Sequence, residues 1–153
     1  MRRLTLVLLL LLGGTGLAAS APTEAVTFYV QLIRGTDTDT PPAPEARLIG
    51  SELGRRLRVF KWRTYWEMGR RTVVLRPGAK SRQRLSPQRE VEIALLSPQD
   101  MTVSIYTAGR LSRRRRQAAD TAFCIAGGEH ENAESWFIVV RRDDPQLAQA
   151  SVK

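Results

Sequence analysis

Apolar and polar residues alternate with a period of two over most of this chain, as they do in strands that are wet on one face. Val26, Phe28, Val30 and Leu32 alternate with Thr27, Tyr29, Gln31 and Ile33, which predicts a first strand over 25–34. One stretch breaks the rule. Ile49, Leu53 and Leu57 recur at four-residue steps behind Pro44, so 45–58 is predicted as a short amphipathic helix with Arg55, Arg56 and Arg58 in water.

Beyond Val59 the pattern is β throughout. Phe60, Trp62, Thr64, Trp66 and Met68 fall on one predicted face, and Lys61, Arg63, Tyr65 and Glu67 on the other. A strand over 71–76 ends at Pro77-Gly78, a dipeptide suited to the centre of a type II turn. Further strands are predicted over 80–85, 90–96, 101–107, 110–117, 121–126 and 135–142, with turns at Ser97–Asp100 and Ala108-Gly109. About nine short strands at regular spacing make the fold class mainly β, an antiparallel sandwich or barrel-like domain with one short N-terminal helix. Phe60, Trp62, Trp66, Val91, Ile93, Leu95, Val103, Ile105, Phe123, Ile125, Phe137 and Val139 are its expected core, in one contiguous cluster.

The N-terminus has a separate character. Arg2 and Arg3 precede an apolar run from Leu4 to Leu12, and small residues follow to Ala21, the order of a cleaved signal peptide. The run rises only about 14 Å as a helix, too short to span a bilayer. Residues 1–19 are therefore assigned to the signal, 20–144 to one β-rich domain and 145–153 to a polar, flexible tail. The expected product is exported, periplasmic or secreted, with no transmembrane segment and no access to intracellular nucleic acid.

Charge then adds a candidate activity. The formal net charge is +9, and the basic residues are Arg apart from Lys61, Lys80 and Lys153. Basic residues crowd the segment from Arg55 to Arg89, whereas Glu129, Glu131, Glu134, Asp143 and Asp144 lie late in the chain. Arg113, Arg114, Arg115 and Arg116 form a run inside a predicted strand. Alternation would turn two of them inward, which places that strand at a sheet edge, where charge blocks unwanted pairing. The same run can hold an anionic partner, because a guanidinium captures carboxylate or phosphate with two parallel donors. Lys61, Arg63 and Tyr65 form a second candidate contact, with Tyr65 expected to be the exposed aromatic.

Catalytic signals are thin. His130 is the only histidine, flanked by Glu129 and Glu131, and a hydrolase would need it beside a nucleophile and an orienting acid such as Asp120. One histidine and two glutamates in a loop make a poor metal set, and no cofactor motif is present. Asp37, Asp39 and Glu45 read as solvated loop charges. Cys124, the only cysteine, is expected to be a buried small hydrophobe. The favoured reading is a non-catalytic binding module for an acidic protein or an anionic cell-envelope polymer. The alternatives are a small envelope hydrolase using His130 and a purely structural envelope component.

Overall fold

The computed structural model describes residues 24–129 and 134–145. The assigned signal segment, His130, Glu131 and most of the C-terminal tail lie outside them. The chain forms β1 (Val26–Thr36), β2 (Arg47–Leu48), α1 (Ser51–Leu57), β3 (Thr64–Leu75), β4 (Lys80–Ser86), β5 (Arg89–Leu95), β6 (Asp100–Thr107), β7 (Arg110–Ala118), β8 (Phe123–Glu129) and β9 (Glu134–Arg141). These strands make two antiparallel sheets, ordered β2-β3-β1-β9-β8 and β4-β5-β6-β7. The fold is mainly β and sandwich-like, with one short helix, as the periodicity implies.

The core between the sheets follows alternation. Val91, Ile93 and Leu95 on β5 and Met101, Val103 and Ile105 on β6 are fully buried against Phe28, Val30, Ile138 and Val140 from the other sheet. Pro77-Gly78 turns the chain from β3 into β4 with Gly78 at φ 87°, the positive angle a type II turn needs at its third position.

The core is not one cluster, however. Phe137 and Val139 point to the outer face of the five-stranded sheet, where they pack with Ile33, Ile49, Leu53, Leu57 and Tyr65. The helix seals that second cluster, so β9 is buried on both faces. Ile125 is only partly buried, since β8 is an edge strand.

The helix and the first aromatic stretch also differ from expectation. The helix begins at Ser51, not residue 45, because Arg47 and Leu48 pair with Glu67 and Trp66 of β3. The backbone N–H of Ile49 continues that ladder by donating to the Tyr65 carbonyl. After Leu57 the chain tightens into a 3₁₀ turn over Arg58–Phe60, and Lys61 then reverses it in the left-handed conformation at φ 62°. Phe60 and Trp62 therefore precede the strand. Phe60 is 42% exposed although its ring lies 4.8 Å from that of Phe137, and Trp62 is half-buried against Gly35.

β3 then runs without a break through the expected gap between residues 68 and 71. Its register slips once: Leu32 pairs with Gly69 but Ile33 pairs with Glu67, leaving Met68 unpaired in a bulge. That extra residue switches parity. Trp66 and Met68 lie on the core side before it, and Val73 and Leu75 after it. Among the described residues there are nine strands, near the expected number, because β2 lies outside the expected set and two expected strands are one.

Candidate functional site

β7 is an edge strand, as the arginine run requires. Arg113, Arg114, Arg115 and Arg116 are all exposed. Arg113 and Arg115 pair with Ile105 and Val103, residues whose side chains fill the core. Their guanidiniums stay wet because the edge strand contributes nothing to the core apart from the following Ala119. Arg114 and Arg116 pair with Ser104 and Thr102 on the outer face. There Arg114 Nε donates to Ser104 Oγ at 3.0 Å, and Arg116 forms a 2.9 Å ion pair with Asp100.

The same outer face carries Lys80, Arg82 and Arg84 of β4 and Glu90 and Glu92 of β5. Arg82 lies 3.6 Å above the Tyr106 ring and bridges to Glu90, which also binds Arg84 at 2.8 Å. The Arg84 hydrogen bond, with a smaller contribution from Arg82, holds the Glu90 carboxyl below its ordinary range. Five basic side chains thus share this face with Glu90, Glu92 and Asp100, and the four-stranded sheet presents a basic surface that continues over its β7 edge.

The late acids Asp143 and Asp144 do not neutralise it. Asp143 pairs with the buried Arg141 at 2.6 Å, and Asp144 lies 3.7 Å from Arg70, both on the five-stranded sheet. Arg70 also chelates Glu67, which accepts a hydrogen bond from the buried Gln31 amide.

The second basic group is dispersed. Tyr65 is buried at 7% exposure, not exposed, and its hydroxyl donates to the Leu57 carbonyl at 2.6 Å. Burial pushes the phenol above its ordinary pKa, with a smaller opposing effect from the Trp62 backbone. The reason is the register: Tyr65 takes the outer face of the sheet, and the helix covers that face. Lys61 is exposed, and Arg63 pairs with Asp39 at 2.7 Å, so Asp39 is an ion-pair partner and not merely solvated. Thr64 Oγ1 holds Asp39 from the other side at 2.9 Å. Lys61 and Arg63 belong to the entry of β3, in the opposite sheet from Arg113–Arg116.

Cys124 is exposed, not buried. Phe123 and Ile125 take the core side of β8, which leaves Cys124 on the outer side of an edge strand. Desolvation by surrounding atoms raises its thiol pKa, the opposite of what an activated nucleophile needs. Asp120 is exposed and accepts from the neighbouring Thr121 hydroxyl at 3.4 Å. Among the described residues no cluster of His, Cys, Asp and Glu could hold a metal ion. Nor is any helix among them long and apolar enough to cross a membrane.

One feature was not legible in the sequence. A cleft of about 360 Å³ opens between the sheets at the end where β1 finishes and β5 begins. Leu32, Met68, Leu85 and Trp136 form its apolar wall, and Arg34, Arg89, Ser86 and Glu45 line it as well. Met68 is the bulged residue of β3. Leu85 is its counterpart on β4, skipped where Arg84 pairs with Glu90 and Ser86 with Arg89. Trp136 lies flat across Gly127, where a Cβ would come within 2.1 Å of the indole, and Arg89 stacks 4.3 Å over its ring. Gly69, isolated inside a strand pattern, was the one available sign of a bulge here.

Comparison with protein-family models, with characterised proteins and with solved structures finds no match, so function is argued from this geometry alone.

Proposed function

We propose that this protein is an exported, non-catalytic binding module that holds an anionic partner, an acidic protein or a cell-envelope polymer, on its basic four-stranded sheet. One observation carries the reading: four consecutive arginines stand exposed on an unpaired sheet edge. A guard against edge pairing would be served by Arg113 and Arg115 alone, whose inward-side charges obstruct a docking strand. Arg114 and Arg116 instead face outward, on the same face as Lys80, Arg82 and Arg84, which lie at the other edge of the sheet beyond β5 and β6. Guanidiniums on that face give an anion laid against the β7 edge paired donors.

The test is retention on anionic phosphatidylglycerol vesicles and on immobilised polyglutamate across a salt series. The wild-type chain should be retained at low salt and released as ionic strength rises, because exposed charges more than about 10 Å apart are screened near 0.1 M. A variant with Arg113, Arg114, Arg115 and Arg116 changed to Gln should elute markedly earlier from at least one matrix. Equal retention of the two proteins, or retention indifferent to salt, would leave the run as an edge guard and the reading would be abandoned.

A further inference from the structure

We infer that the open edge of β7 takes an extended acidic polypeptide as a fifth strand of the four-stranded sheet. The inference rests on the reading of that edge as the anion-holding site, and it commits to one partner and one manner of holding it.

The backbone points to a polypeptide. β7 ends its sheet, and every residue from Arg110 to Ala118 except Gln117 is exposed. The Ala119 N–H donates to the Gln99 carbonyl at 2.7 Å, one rung past the Asp100–Ala118 pair. Hydrogen-bonded pairs recur at every second rung of an antiparallel ladder, so Gln117, Arg115 and Arg113 bond to β6. Arg114 and Arg116 therefore direct their N–H and C=O groups out of the open edge. A phosphate polymer only accepts and leaves those carbonyls to water, whereas an added strand meets donor and acceptor alike. The row is also bounded. At one end the register shift leaves Ser112 unpaired, with its hydroxyl bonded to the Ile105 carbonyl, and at the other the chain turns away after Ala118.

The side chains point to acidity. Arg114 and Arg116 stand on the outer face and Arg113 and Arg115 on the inner one. Arg116 is met by Asp100 and Arg114 by the Ser104 hydroxyl, but among the described residues Arg113 and Arg115 have no ion-pair partner. A neutral strand laid on this edge strips water from the inner guanidiniums and gives nothing back. A second copy of β7 sets arginine against arginine, and like charges directly opposed are destabilising. Glutamate or aspartate opposite Arg113 and Arg115 matches them with paired acceptors. The charges that turn ordinary strands away thus admit an acidic one.

The experiment titrates the full chain with three capped peptides by calorimetry. They are Thr-Val-Glu-Glu-Glu-Glu-Val-Thr, the same peptide N-methylated at every glutamate, and a control with glutamine for glutamate. N-methylation keeps the charge and removes the N–H groups that a strand must donate. The unmethylated acidic peptide should bind saturably, and the methylated one about tenfold or more weakly, the loss expected for two hydrogen bonds. The glutamine control should also bind about tenfold or more weakly. On the wild-type protein the acidic peptide should slow amide exchange at Arg114 and Arg116, while Arg113 and Arg115, already bonded to β6, change little. Equal binding of the two acidic peptides, both lost in the Gln-substituted Arg113–Arg116 variant, overturns strand addition and leaves the anion-holding reading standing. Unchanged exchange at Arg114 and Arg116 in the saturated complex overturns strand addition as well, and it is read without any variant. Failure of every peptide, with vesicles still retained through the arginine run, overturns this inference alone. Failure on peptides, polyglutamate and vesicles together removes the anion-holding reading too.

Discussion

A methyl group added at Gly127 would meet the Trp136 indole at 2.1 Å, far inside any real contact, and the ring cannot yield without leaving its place under Arg89. Gly127→Ala should therefore destabilise the protein by about 1–3 kcal/mol, the usual cost of overpacking, and should also alter Trp136 fluorescence. A thermal melt and an emission spectrum check both effects. Tyr65 allows a prediction with a defined sign. Its phenol titrates above its ordinary value in the folded state because burial disfavours the phenolate. The unfolded chain therefore ionises first, and the stability this group contributes is present below about pH 10 and is lost as pH rises through its folded pKa. Tyr65→Phe should flatten that alkaline loss in melts recorded from pH 8 to 11. It should also cost about 1 kcal/mol near neutrality for the lost bond to the Leu57 carbonyl. Tyr65 and Cys124 show where single residues escape a sequence reading. In each case a side chain alternates to the outer side of the five-stranded sheet, and its burial depends on whether the helix reaches across to cover it. Composition near Tyr65 or Cys124 carries no trace of that reach.

The strands themselves were largely legible because their burial is one-sided. On β5, Val91, Ile93 and Leu95 alternate with Glu90, Glu92 and Ala94, and the structure buries the first set completely. Ile93→Ala should therefore cost about 2–5 kcal/mol through lost transfer energy and an unfilled cavity. Denaturant unfolding measures that loss, and an unchanged midpoint would contradict the register described for β5. β9 defeats the same reasoning, since Phe137, Ile138, Val139 and Val140 are all buried. A continuous apolar run cannot announce which residue faces which layer, and this is why one expected core became two. β3 departs from simple periodicity for another reason. The bulge at Met68 reverses the parity of a single strand, so its halves look like two strands in opposite phase. The cleft was invisible on the same account: it is lined by bulged residues, which local periodicity treats as noise.

For the whole molecule, folding sorts charge between the two layers. The described late acids Asp143 and Asp144 pair with arginines of the five-stranded sheet, and the basic surplus collects on the four-stranded one. The sequence suggested that polarity from its uneven charge runs, but not that Lys61 and Arg63 would stand on the opposite sheet from Arg113–Arg116. The edge itself yields a separate test. Changing Arg113 and Arg115 to Val removes the inward-side charges and gives β7 the composition of a pairing strand. That double variant should associate at concentrations where the wild type does not, as read by light scattering, while retaining Arg114 and Arg116 for anion capture. A monodisperse variant would show that these two positions do not guard the edge.

The paired bulges at Met68 and Leu85 also set how the sandwich moves. A bulge leaves backbone groups outside the regular ladder, and both bulges occur at the same end of the molecule. At the far end, Gly78 and Ala79 are tied to β5 by unbroken bonds through Leu95. Amide protons should therefore exchange with deuterated solvent along a gradient, soonest around Met68 and Leu85 and latest around Ile93 and Val103 in the core strands. In this respect the two layers resemble a book bound at one side, with its spine at the Gly78–Ala79 end.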